Sequence, residues 1–203
     1  MEGRDAAKSR DLILDAAEGL FATRGYRGTS IAAVCKVSGL PTGSVYWHFG
    51  NKAGVALAVM QRGARAFFAR MPRAADLEGG PAERLCQFFE AAAKAIAANS
   101  AFFRLEPAFQ LESHEEEAIR MVLREVTDYT VREIVSVVEP AARDSGVPDP
   151  AGLAIELADL TMVLTRGSLL QGDIEGAERA MRRVHHLILL SIADAAEGAR
   201  RAG

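Results

Sequence analysis

Apolar residues recur every three to four positions along most of the chain, and no stretch keeps the two-residue alternation of a strand, so the pattern predicts an all-α fold. Residues 5–24 read as the first helix, with Ile13, Ala17, Leu20 and Phe21 on one face and Gly25 as its stop. Two short helices follow. The first begins at Thr29 or Ser30, hydroxyl residues that cap free backbone N–H groups, and carries Ile31, Val34 and Cys35 on one side. Gly39 stops it in a left-handed cap, and Pro41 keeps it from resuming. Thr42 is then placed to cap a second helix over 43–49.

Beyond Lys52 the helical period continues in longer pieces. Residues 52–71 carry Met60, Ala64, Phe67, Phe68 and Met71, and Pro72 with Gly79-Gly80-Pro81 marks a loop. Residues 81–98 carry Leu85, Phe88, Phe89, Ala92 and Ile96, and Asn99-Ser100 breaks them. A short piece over 102–112 is expected to bend at Pro107. The next helix, 115–138, opens on three glutamates that suit its N-terminus and is closed by Pro140 and the run Asp144-Ser145-Gly146-Val147-Pro148-Asp149-Pro150. The last two, 151–171 and 175–197, are joined by Gln171-Gly172-Asp173 and so run antiparallel. Their apolar positions spread wider than one stripe, which predicts burial on more than one side. Leu153, Leu157, Leu160 and Leu164, with Val184, Leu187 and Ile188, are the expected contacts with a second copy in a four-helix bundle. No flexible linker separates the parts, so the expected division is a head over 1–52 and a helical body over 53–203.

The helix over 43–49 suggests what the head does. Val45 and Phe49 are four apart and pack inward with Ile31, Val34 and Leu40, which leaves Thr42, Ser44, Tyr46, Trp47 and His48 outward. Adjacent Tyr-Trp-His is costly to expose unless that face meets a partner that both stacks and accepts hydrogen bonds. Duplex DNA is such a partner, with a major groove wide enough for a helix. Thr42, Gly43 and Ser44 are expected near base edges. Tyr46, Trp47, His48, Lys36, Lys52 and the Thr29-Ser30 end are expected on phosphates. The arm before residue 11 reads equally as a solvated tail or as a further phosphate contact through Lys8 or Arg10.

Thr29-Ser30-Ile31-Ala32, Ser38-Gly39, Gly43-Ser44-Val45-Tyr46-Trp47-His48-Phe49 and Lys52 resemble the helix-turn-helix signature of tetracycline-repressor-like (TetR family) transcription regulators. The likeness is close over about the first quarter of the chain. It departs at Gly50, where a bulkier residue is usual, and at Gly54-Val55, in place of a more polar, leucine-ending helix start. The resemblance implies a three-helix DNA-binding head, a dimer-forming helical body and a small-molecule effector site in that body.

Composition narrows the function further. The net charge of −3 is uneven: residues 1–52 hold seven Lys and Arg against five Asp and Glu, the remainder seventeen against twenty-two. The small basic excess therefore lies with the candidate recognition helix. No run is long and apolar enough to span a membrane, and the first residues lack an apolar signal core, so a cytoplasmic protein is expected. Cys35 and Cys86 form no redox or metal motif and read as reduced, buried thiols in apolar helical contexts. His185 and His186, being adjacent, point apart on a helix and suit a surface or dimer interface better than a metal. No phosphate loop, nucleophile elbow or carboxylate pair is present, so neither an enzyme nor a cofactor is expected.

The aromatic residues of the body allow two readings, core or ligand cavity. Around the broken helices near 102–111, polar Arg104, Glu106, Gln110 and His114 interleave with rings, as in a small-molecule pocket. Its expected lining is Phe67, Met71, Phe88, Phe102, Phe103, Glu106, Phe109, Gln110 and Tyr129, with a buried Glu106 favouring a cationic or hydrogen-bonding ligand. The whole then reads as a dimeric regulator of operator DNA, most simply a repressor released by a small molecule. The rivals are a helical ligand-binding or interaction protein, and a DNA-binding regulator without an effector.

Overall fold

The computed structural model describes residues 2–112, 117–171 and 173–202. His114 and the glutamates at 115 and 116 lie outside them, as do the side chains of Pro107 and Gln110. Among the described residues the chain is all-α: α1 (Glu2–Arg24), α2 (Ile31–Ser38), α3 (Thr42–Phe49), α4 (Lys52–Phe68), α5 (Pro81–Ala98), α6 (Ser100–Glu112), α7 (Glu117–Asp144), α8 (Pro150–Leu170) and α9 (Ile174–Ala202), with one 3-10 turn at Ala74–Asp76. They form two compact units, one of residues 1–66 and 101–124, the other of 67–100 and 125–203. The expected 52/53 division falls inside the first unit: α4 stays with the head as far as Ala66, and α6 from Ala101 onward with the start of α7 joins it.

In the first unit α1 packs on α2 and α3. Ile13, Leu14, Ala17, Leu20 and Phe21 of α1 are buried, as are Val34, Val45, Val59 and Met60. Arg62 of α4 reaches α1, donating to Asp15 at 2.6 Å and to Glu18. Burial pulls its guanidinium pKa down, but the two carboxylates outweigh this and raise it. Gly63 sits in mid-helix, where alanine would be about 1 kcal/mol better by propensity alone. It is there because Phe102 fills its space: a Cβ at Gly63 would run into the Phe102 ring and its own Cβ. Overpacking costs about 1–3 kcal/mol, so Gly63→Ala is expected to lower the melting temperature despite its better propensity. A rise in thermal denaturation would refute this packing.

In the second unit α9 packs on both α5 and α8. Leu85, Phe88 and Phe89 of α5, Ile134, Val137 and Val138 of α7, and Met181, Val184, Ile188 and Ile192 of α9 are buried. Arg182 ties α9 to α5 through Glu90 at 2.5 Å. α8 starts on Asp149, whose Oδ1 accepts the Gly152 N–H at 2.9 Å, with Pro150 in the first turn, where its missing N–H costs nothing. His185 is buried and His186 exposed, which corrects the expected surface role of the first, while Cys86 is exposed and Cys35 half-buried, which corrects their expected burial.

The closing of α7 at Pro140 is also corrected. The helix runs through the proline to Asp144, although one backbone hydrogen bond is lost there. The apolar stripe Ile134, Val137, Val138 continues past it as Ala141 and Ala142, all buried, and that packing holds the last turn in place. The Val147 N–H then bonds back to the Ala142 carbonyl at 3.1 Å and closes the helix.

Candidate nucleic-acid interface

Local chemistry sets the turn between α2 and α3. Ser30 caps α2, its Oγ accepting the Ala33 N–H at 3.2 Å. At the other end Gly39 takes φ 71°, a left-handed conformation that a side chain would strain, and its N–H reaches the Cys35 carbonyl at 3.0 Å. Pro41, not Thr42, is the cap residue of α3, and no side chain bonds to the helix start. The Thr42 hydroxyl is left facing outward and accepts from the Cys35 thiol at 3.6 Å.

The faces of α3 divide as its spacing predicted. Val45 is fully buried, whereas Tyr46 is 52% and Trp47 74% exposed. Thr42 and Gly43 are exposed and Ser44 half-buried. The half-buried His48 ring stands edge-on to Trp47, centroids 4.5 Å apart, which orients the indole. Behind them the Arg10 guanidinium lies 5.5 Å from the Phe49 ring centroid, fixing an arginine of α1 beside the helix.

Two residues expected on phosphates also make contacts inside the head. Thr29 is only 2% exposed, and its hydroxyl donates to the Gly25 carbonyl at 2.9 Å, so it staples the α1–α2 turn and is withdrawn from any ligand. Lys52 is half-buried, with Nζ donating to the Tyr26 carbonyl at 3.0 Å and lying 4.3 Å from the Tyr26 ring centroid. Lys52 therefore anchors that same turn to the start of α4. Lys36 and Ser30 remain exposed.

Tyr26 is the residue that sequence reasoning missed. Its ring meets Phe21 of α1 at 5.9 Å and Phe109 of α6 at 5.5 Å, and it carries Lys52. A turn tyrosine between two helices gives no periodic signal, so only the tertiary contacts reveal it. A second missed signal lay in plain sight: from Gly19 to Ala75 there is no aspartate or glutamate at all. The helix-turn-helix thus sits in an uninterrupted acid-free stretch, a stronger electrostatic feature than the net count for residues 1–52.

The residues expected to line an effector cavity are divided between the two units. Phe102, Phe103, Glu106 and Phe109 belong to the first unit, and Phe67, Met71, Phe88 and Tyr129 to the second. All but the half-buried Tyr129 are buried. For Phe88, Phe102 and Phe109 the plain reading as core is right: Phe88 stacks edge-on with Phe89, Phe102 fills the space over Gly63, and Phe109 wedges against Phe21. Of the expected dimer contacts, Leu157, Val184 and Ile188 are consumed within the protomer, because α8 and α9 bury those faces on each other and on α5. Leu160, Leu164 and Leu187 are exposed, together with Val163 and Leu190, which were not singled out for that role, and Leu153 is half-buried.

Residues 13–59, the end of α1 through the first half of α4, match the family model described as bacterial regulatory proteins, tetR family. Over those residues, under a quarter of the chain, the sequence is similar to tetR-family regulatory proteins. It is 38% identical over 56 residues to the HTH-type transcriptional regulator TtgR of Pseudomonas putida, covering 28% of this chain and 27% of that protein. It is 31% identical over 90 residues to the HTH-type transcriptional repressor KstR2 of Mycolicibacterium smegmatis, 44% of each chain. The chain thus matches only about a quarter to under half the length of these curated relatives. The crystal structure of the TetR-family regulator PfmR from Thermus thermophilus superimposes with a TM-score of 0.68 at 24% identity, covering 89% of this chain and 95% of that one, a likeness of fold.

Proposed function

We propose that this chain is a cytoplasmic, homodimeric regulator of the TetR family that binds operator DNA through α3 and releases it when a small molecule binds. The supporting observation is the surface of α3: Val45 locked inside, Tyr46 and Trp47 presented outside, within a stretch free of acidic residues. A helix that keeps its two largest aromatics in solvent is shaped for a partner, and a duplex accepts such a helix in its major groove. Thr42, Gly43 and Ser44 at the start of α3 read base edges. Tyr46, Trp47, His48, Ser30 and Lys36 hold phosphates, and Lys52 holds the turn that positions them. One such helix reads too few bases for specificity, so the exposed leucines of α8 and α9 pair two chains and present two heads to a pseudo-palindromic site. KstR2 is named a repressor, and we extend that sign to this chain. Release is a population shift: a ligand favouring a head separation other than the DNA-bound one weakens DNA by its differential affinity, a coupling of roughly 1–3 kcal/mol.

Selection of bound sequences from random duplexes is expected to return an inverted repeat with half-sites one helical turn or a multiple apart. On that site Lys36→Gln weakens binding to all sequences and lowers the slope of log affinity against log salt by about 1. Tyr46→Ala costs about tenfold or more, as loss of a phosphate hydrogen bond and its stacking would. Trp47 is the only tryptophan, so its emission reports docking directly. Recovery of no enriched sequence, or a Tyr46→Ala protein that binds as the parent does, would sink the reading.

A further inference from the structure

The second unit carries a cleft of about 280 Å³ at the end of α4 and the middle of α7, lined by Phe68, Ala69, Arg73, Glu125, Tyr129 and Arg132. Its apolar wall is a ring pair: Phe68 and Tyr129 stand 4.7 Å apart at 56°. Its rim is cationic, with Arg73 and Arg132 exposed and neither within 4.0 Å of a carboxylate among the described residues. Arg62, Arg120, Arg143, Arg179, Arg182 and Arg201, by contrast, each hold a glutamate or aspartate. The nearby Glu133 is committed elsewhere, its Oε2 accepting the Ala74 N–H at 3.1 Å. Two guanidinium forks without acidic partners, over two rings, make a receptor in search of an anion.

We propose that this cleft binds a small aromatic monocarboxylate. A guanidinium matches a carboxylate bidentately, a geometry an ammonium lacks, and two of them flank the cleft. The ring wall takes a flat apolar body by edge and face contacts. The volume lies at the small end of the roughly 300–1,000 Å³ usual for ligand sites, which suits a single ring and excludes a long chain. Glu125 in the lining opposes a second negative charge, so a monoanion is favoured over a phosphate dianion. Tyr129 supplies a further donor. Its phenol pKa is raised, chiefly by burial and further by Glu133, with Arg73 opposing, so it keeps its proton at neutral pH. The residues lining the site lie wholly within the second unit.

Isothermal titration of the full-length protein, without DNA, tests this with benzoate, benzamide and inorganic phosphate. Benzoate is expected to bind saturably, one per chain. Benzamide keeps the ring but loses the charge and is expected to bind about tenfold more weakly or less. Arg132→Gln, at an exposed position that leaves the core intact, is expected to reduce benzoate affinity about tenfold at an unchanged melting temperature. Arg73→Gln gives the same reading should Arg132→Gln prove unstable. The proposal is overturned if benzoate shows no saturable heat in the millimolar range, or if benzamide matches it. Phosphate binding as tightly as benzoate would also overturn it, since charge alone would then account for the site, as would two glutamine variants that bind benzoate like the parent.

Discussion

Leu160→Glu combined with Leu187→Glu is expected to leave this protein a folded monomer that no longer binds its operator specifically. Both leucines are more than two-fifths exposed in the protomer, so the substitutions touch no internal packing and the single-chain fold survives. In a two-fold interface every residue is used twice, so the double variant buries four carboxylates where leucines would meet. An uncompensated buried charge costs several kcal/mol, and four exceed what a standard interface supplies. Sedimentation at micromolar concentration should report 21.8 kDa, one chain, against twice that for the parent. Operator affinity should drop by about a thousandfold or more at physiological salt, toward the level of non-specific binding. The contrast lies one turn away. Val184→Glu or Ile188→Glu puts the charge inside the α5–α9 and α8–α9 packing, and the protomer itself should unfold. A parent that sediments as one chain, or a double variant that stays paired, would remove the dimer from this account.

That contrast also marks how far the sequence could be read. Spacing alone located the inner face of α3, because Val45 and Phe49 are four apart and the turn residues Gly39 and Pro41 dictate their own backbone. It could not assign the leucines of α8 and α9 between the protomer and a partner. When a helix is apolar over most of its circumference, periodicity says that two sides are buried but not which neighbour takes which side. Single residues show the same limit. Thr29 and Lys52 carry the right groups for phosphates, and only the fold shows that a carbonyl 2.9 or 3.0 Å away also accepts from each of them. The aromatic residues of the body stay ambiguous in sequence because a ring in a bent helical region is chemically the same residue whether it fills a core or lines a cavity. Tyr129, the one half-exposed ring of that set, lies at a cleft beside arginines at 73 and 132 that no period links to it.

Phe109→Ala is expected to be the most damaging single truncation for the head, although Phe109 lies more than fifty residues from the recognition helix. Its ring is 1% exposed, edge-on to Phe21 at 5.5 Å and 83°, and 5.5 Å from Tyr26. Removing a buried phenyl leaves a cavity that its neighbours fill only partly, a loss of about 3–5 kcal/mol. For a chain of this size each kcal/mol moves the melting temperature by about 2–4 °C, so a fall of roughly 6–20 °C follows. The functional loss should exceed the loss of stability. Tyr26 rests on Phe109 and holds Lys52 through its carbonyl and its ring, and Lys52 begins α4 two residues after Gly50 closes α3. With the wedge gone the turn loosens, and both ends of the helix-turn-helix lose their common anchor. Operator affinity measured well below the variant's melting range should therefore still be reduced, while Phe109→Leu, which refills most of the volume, should restore most of both. A Phe109→Ala protein that melts within two or three degrees of the parent would mean the ring is not the keystone of this cluster. One that is destabilised but binds DNA normally would cut the link from Tyr26 through Lys52 to α3.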